Sequence, residues 1–201
     1  SVATAIEGTN LLNYVVSYGS DTITFTGNCA YRRIDFSDYG SFVGTLTNDA
    51  IFIYGTFTLA SGMTLTPGAN AWTFKATSNF FILTNGKTID NPITFDGIGG
   101  EWGILDALTM GSTMALTLIN GFVLLAAGTT NTVGSFVTTG TNQKYLGSTS
   151  SGTQATISDA SGTNSVSYLT IQDSNATGGA TWYALAPSVD AGNNTGWIFI
   201  P

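Results

Sequence analysis

The stretch NGKTIDNPITFDGIGGEWGILDAL, residues 85–108, admits two readings. It sets the carboxylates Asp96 and Glu101 beside Phe95 and Trp102, as a sugar-cleaving site does. It also alternates apolar and polar residues in short runs cut by glycine and asparagine, as one turn of a repeat does. Spacing outside the stretch decides between them. The apolar centres Ile53, Phe74, Phe95, Leu116, Phe136 and Ile157 follow one another at steps of 21, 21, 21, 20 and 21 along the chain. A second series, Met63, Leu83, Ile104, Leu125, Tyr145 and Val166, steps by 20, 21, 21, 20 and 21. The quoted stretch holds one member of each series, so it is read as one coil of a repeat.

Such a repeat in a strand-forming sequence predicts an all-β fold, a parallel β-solenoid with coils of about 20–21 residues. Strands of successive coils pair in parallel at roughly 4.8 Å, and side-chain alternation sends the first series inward as one column. Thr73, Thr94, Ala115, Ser135 and Thr156 then face outward on one side of the column. Lys75, Asp96, Thr117, Val137 and Ser158 do so on the other, which sets Lys75 beside Asp96 of the next coil. Asn85-Gly86, Gly99-Gly100, Asn120-Gly121 and Gly140 are expected at corners, where φ > 0 is tolerated by glycine and asparagine. The alternative is an antiparallel β-sandwich, which also has short strands but does not require equal spacing. Three segments follow: an N-terminal cap or junction at 1–45, solenoid coils at 46–174, and a C-terminal cap or partner-contact tail at 175–201. A solenoid end needs such a cover because it exposes core and strand edges.

Composition agrees with strands. Only 8% of the 201 residues are charged, against roughly 25% in ordinary soluble domains. Threonine makes up about a sixth of the chain, and there are 25 glycines. The net charge of −7 and five scattered basic residues exclude a phosphate-tracking nucleic-acid binder. Cys29 is the only cysteine, which rules out an intrachain disulfide and reads as a buried structural thiol. The apolar run at 114–128 is broken by Thr117, Asn120 and Gly121 and is too short to span a bilayer. No signal-peptide pattern is read in the first residues, and an initial Ser fits a processed product or a fragment.

With no histidine, Ser-His-Asp and Cys-His catalysis and the commonest zinc ligand are excluded. The run GIGGEWG lacks the spacing of a dinucleotide fingerprint. Carboxylate pairs remain: Asp96 with Glu101, Glu101 with Asp106, and Asp35 with Asp38. A glycosidase needs two carboxyls about 5–9 Å apart in a cleft, one with a raised pKa. Asp96, opposite Lys75, is expected to have a lowered one, and Asp106 aligns with Asn85 as a corner residue. Turns and surface solubility are the simpler reading, so no catalytic residue is assigned. DGIGGEWGILD is a single loose echo of a calcium-binding solenoid turn where successive repeats are needed, so no metal and no cofactor are expected. Trp72 and Trp102 read as core. Trp182, Tyr183 and Trp197, in the segment that loses the period, read as partner or glycan contacts, as do the outward apolar Phe52 and Tyr54. Asn175-Ala-Thr and Asn193-Asn-Thr match the glycosylation acceptor pattern, which a threonine-rich chain produces by chance.

The run IYGTFTLASGMTLTPGANAWTFKATS, with LTNGKTIDNPITFDGIGGEW after it, resembles the strand-turn segments of bacteriophage tail-fibre and virion-associated β-helix proteins. The ending SVSYLTIQDSNATGGATWYAL with NNTGWIFI is similar to the closing stretch of such proteins. The resemblance covers most of residues 30–201 and carries no catalytic motif. It implies a structural module of a virion or extracellular surface that often assembles as trimers. The function expected is therefore a non-enzymatic structural and binding module. Its expected partners are identical subunits, other virion or surface-assembly proteins and a cell-surface glycan, without nucleic acid or membrane insertion. The alternatives are a carbohydrate-active tailspike-type enzyme and a β-sandwich adhesin.

Overall fold

The computed structural model describes residues 4–6, 23–25, 29–36, 45–48 and 51–201, with side chains described for 30–36 and 51–201. Among these residues there is no helix, and the strands pair in parallel throughout, stacked as a β-solenoid of about seven turns. The strands stack into three long ladders, and Thr4–Ile6, Ile23–Phe25, Thr45–Asn48 and Thr64–Leu65 form a further four-stranded one toward the N-terminus. Ladder one holds Cys29–Tyr31, Ile51–Ile53, Trp72–Phe74, the first parts of Ile93–Ile104 and Ala115–Leu125, and Ser135–Thr138. Ladder two holds Ile34–Asp35, Phe57–Thr58, Asn79–Leu83 and the second parts of the two long strands. It continues with Lys144–Ser148, Leu169–Ile171 and Val189–Asp190. Ladder three runs from Thr88–Ile89 through Thr109–Met110, Thr130–Thr132 and Ala155–Asp159 to Ser174–Gly178.

Alternation builds the core. On ladder one Tyr31, Ile53, Phe74, Phe95 and Leu118 stack in register, one per coil, and all are buried. The Phe74 and Phe95 rings stack at 5.1 Å, and Trp102 leans on Phe95 at 5.2 Å across the inside of the coil. Large rings filling a narrow tube contribute both apolar burial and ring–ring attraction.

The expected column holds for three coils and then departs. Phe95 pairs with Leu118, while Leu116 pairs with Ile93 below and Phe136 above. The numbering advances by 23 from Ile93 to Leu116, where it advances by 21 from Trp72 to Ile93. The extra two lie in the turn at 111–114: Met110 to Leu116 is six positions, Ile89 to Ile93 only four. Ile157 is not in this column at all; it sits on ladder three between Asn131 and Ala176. Likewise Ile82 rather than Leu83 pairs with Ile104, Tyr145 faces outward over Phe122, and Val166 belongs with the ladder-one strands. A constant step counts coils, but it changes ladder whenever one coil lengthens, because all three ladders alternate.

Beyond Ser135–Thr138, ladder one is spliced by side chains. Phe136 N donates to Asn164 Oδ1 at 2.6 Å, Thr138 Oγ1 donates to Ser167 O at 3.0 Å, and Ser167 N donates back to Thr138 Oγ1 at 2.8 Å. Thr163–Ser167, Thr181–Leu185 and Trp197–Ile200 then continue in parallel. Coils shorten here: the numbering advances by 18 from Asn164 to Trp182 and by 15 from Trp182 to Trp197. Residues 175–201 lose the sequence period for that reason and still extend the solenoid.

The corners fall largely where glycine and asparagine mark them. Asn85, Gly86, Gly99, Gly121 and Gly140 all have positive φ. In the quoted stretch the corner is an outward arc at 97–100, because Asp96 and Glu101 are five positions apart where their partners Asn120 and Phe122 are two. The arc lies directly on the coil below. A Cβ on Gly97 or Gly100 would stand 1.8 or 2.0 Å from Ala76 O. Ile98 at the tip is 71% exposed.

Candidate functional site

Among the described residues, Asp96, Asp106, Asp159 and Asp173 are occupied as corner fasteners. Asp96 Oδ2 accepts from Lys75 Nζ at 3.0 Å and Asp96 Oδ1 from Asn120 Nδ2 at 2.7 Å. Burial alone pushes this carboxyl's pKa up, but the Asn120 and Lys75 hydrogen bonds and the Lys75 charge outweigh it and hold it below the ordinary value. Asp106 accepts from Thr84 N, Thr84 Oγ1 and Gly86 N, tying its corner to the one below. Asp159 holds Asn164 and Ser161, and Asp173 holds Gly152 and Asn193. Asp35 is paired with Arg33, whereas Asp38 lies outside the described residues. Glu101 meets Asn79 at 3.4 Å on the outer face. Asp96 and Glu101 thus stand on opposite sides of the 97–100 arc with separate partners.

Lys144 is a comparable fastener of the opposite sign. It is 2% exposed, and its Nζ donates to Gly140 O at 3.1 Å and Asn142 O at 2.6 Å while facing the Tyr168 ring at 5.6 Å. Burial pushes its pKa down.

Two outward features of the described residues bear on function. The first is the outer face of ladder two. Glu101, Phe122, Tyr145, Thr170 and Val189 follow one another in register there. Phe81, Gly103, Leu124 and Gly147 form a parallel row. The two glycines are notches: Leu105 leans over Gly103, and the Tyr145 ring lies across Gly147, where a Cβ would come within 2.6 Å of it. Tyr145 Oη is 2.8 Å from Gln172 Oε1, and its ring lies 5.7 Å from that of Phe122. Phe81, Leu105, Phe122 and Val189 are exposed, Leu105 by 52%. The strip runs along the stacking axis and carries one charged residue, Glu101.

The second is a pocket of about 400 Å³ at the corner between ladders one and two. Arg32, Tyr54 and Lys75 occupy equivalent places in three successive coils there, since Tyr54 N donates to Tyr31 O and Lys75 N to Ile53 O, each at 2.7 Å. Phe80 and the exposed Thr77 and Ser78 complete the wall.

The residues picked from sequence are dispersed. Tyr54 lines the pocket and is 37% exposed; Phe52 lies beside it on the outer face, half-buried, with Lys75 Nζ 5.8 Å from its ring centre. Trp182 corrects the expectation of an exposed or partner-facing ring. It is 2% exposed, its Nε1 donates to Thr177 O at 3.0 Å, and it packs edge-on to Trp197 at 5.2 Å. The shortened coils turn position 182 inward, in line with Asn164. Trp197 is half-buried with Nε1 bound to Ser174 Oγ at 3.0 Å, and Tyr183 is half-buried on the outer side of its strand. Trp72 and Trp102 are core, as read. Cys29 lies in a ladder-one strand, its side chain outside those described.

Sequence reasoning missed Phe81, Phe122 and Val189 of the ladder-two strip and the pocket's Arg32 and Phe80. The signal was present in FFIL, GFVLL and QKYLG, whose aromatics fall out of step with their inward neighbours. Comparison of the chain with protein-family models, curated proteins and solved structures finds no match.

Proposed function

We propose that the chain is a non-enzymatic structural and binding module that works as part of a larger assembly of a virion or extracellular surface. The observation that supports this reading best is the ladder-two strip. An apolar and aromatic row along the solenoid axis, nearly free of charge, has the form of a contact surface, and contiguous exposed apolar patches usually mark interfaces. Its length follows the stack, so a second rod laid alongside covers it more fully than a compact partner. Further copies of this chain are therefore the partner proposed, with three copies the arrangement implied by the resemblance to phage fibres. The extracellular or virion setting rests on that resemblance. The absence of catalysis is inferred from the acids: Asp96, Asp106, Asp159 and Asp173 each hold neighbouring coils or corners. Light scattering on the purified chain at micromolar concentration tests the reading. A mass that is a multiple of 20.9 kDa is expected, and a monomer at all concentrations overturns it.

A further inference from the structure

We propose that the corner pocket binds an anionic pyranose unit, a sugar ring bearing a carboxylate or a sulfate, with Arg32 as the anion anchor and Tyr54 as the stacking ring. The inference extends the binding half of the function proposed above.

The charge pattern of one column carries it. Along the corner, successive coils present Arg32, Tyr54, Lys75 and then Asp96. Lys75 is neutralised by Asp96 at 3.0 Å, and Asp96 is further held by Asn120. Arg32 is exposed and forms no ion pair among the described residues. Among the described residues the pocket therefore keeps one uncompensated cation, in a chain whose net charge is −7. A guanidinium offers a planar fork that matches carboxylate or sulfate oxygens two at a time.

The remaining walls suit a ring with hydroxyls. Tyr54 presents an apolar ring face and a phenolic hydroxyl from the coil between Arg32 and Lys75, and Phe80 closes the apolar side. Gly55, next to Tyr54, lets its coil lie close on the Arg32 backbone: a Cβ there would stand 2.0 Å from Arg32 O and 3.5 Å from Phe80 Cε1. Thr77 and Ser78 place hydroxyls at the rim, able to donate and accept. The volume lies within the roughly 300–1,000 Å³ of small-ligand sites, toward the small end. One free cation among the described pocket residues is too little for a nucleic-acid strand, which needs a track of them. A neutral sugar leaves Arg32 without a partner.

Calorimetric titration of the full chain tests the proposal with three disaccharides: one with a uronic acid, one sulfated, and a neutral one of the same backbone. At low salt, at least one anionic disaccharide is expected to bind about tenfold or more tighter than the neutral one, and the carboxylate and sulfate arms identify the source of the charge. Arg32→Gln removes about tenfold of that affinity, and Tyr54→Ala weakens it. Thr77→Trp, which fills the mouth from an exposed position, abolishes it. Asp96→Asn frees Lys75 and tightens binding, an effect that loss of structure does not produce. Equal affinity for neutral and anionic sugars, no binding of any, or Arg32→Gln binding like the native chain overturns the proposal. Assembly measured by light scattering is independent of these outcomes, so this proposal fails separately from the one above.

Discussion

Lys75 Nζ lies 3.0 Å from Asp96 Oδ2, one coil apart on the outside of ladder one, at the register where Phe74 and Phe95 pair inside. The same parallel pairing thus sets an ion pair on one face and a ring stack on the other. Their energetic weights differ greatly.

The ring stack should dominate. Phe95→Ala is expected to cost about 3–5 kcal/mol, because a ring wholly enclosed among Phe74, Trp102 and Leu118 leaves a cavity that the tube cannot close. Asp96→Ala is expected to cost less than about 1 kcal/mol, since Lys75 remains partly solvated. Urea denaturation of both variants checks the contrast; equal losses contradict it.

The ion pair leaves a signature in pH. The carboxyl of Asp96 is held below its ordinary 3.8, so its folded form binds a proton less readily than its unfolded form. The contribution to stability is complete above 3.8 and disappears as pH falls through the lower, folded value. The native chain should therefore lose stability below about pH 4 more steeply than Asp96→Asn. Thermal midpoints measured across that range give the comparison, and parallel curves for the two proteins contradict the assignment.

Two buried tryptophans should respond differently to losing their ring nitrogen. Trp182 Nε1 donates to Thr177 O at 3.0 Å, whereas Trp102 Nε1 is buried with no hydrogen-bond partner among the described residues. Both lose ring volume on conversion to Phe, but only Trp182→Phe also abandons a carbonyl. It should cost about 1 kcal/mol more than Trp102→Phe, read as a difference in denaturation midpoint at constant m-value. A larger loss from Trp102→Phe contradicts the hydrogen-bond assignment.

How far the molecule was legible follows from individual residues. Ile53, Phe74 and Phe95 could be placed because the two coils that join them are equal in length, and Lys75 with Asp96 came with them. Leu116 and Ile157 could not, because two added residues at 111–114 and the longer coil from Phe136 to Asn164 moved the register without interrupting the alternation. Trp182 looked exposed because its coils are short and the period vanishes, although the pairing does not. The pocket needed Arg32 to be extended one coil below Tyr54, into a segment read as a cap. It also needed Phe80, which lies past a corner where the inward parity is reset. Corners are set by local backbone conformation, and a hydropathy pattern carries little of that.

The proposed role rests above all on the outer strip of ladder two being a surface between copies of this chain. Sedimentation equilibrium decides the matter, comparing the native chain with the double variant Leu105→Lys, Phe122→Lys across the micromolar range. Both substituted side chains point outward and are exposed, so the variant should keep the circular-dichroism spectrum and thermal cooperativity of the native fold. The native chain is expected at a multiple of 20.9 kDa and the variant at 20.9 kDa. A native chain that remains monomeric, or a variant that assembles as the native chain does, contradicts the claim.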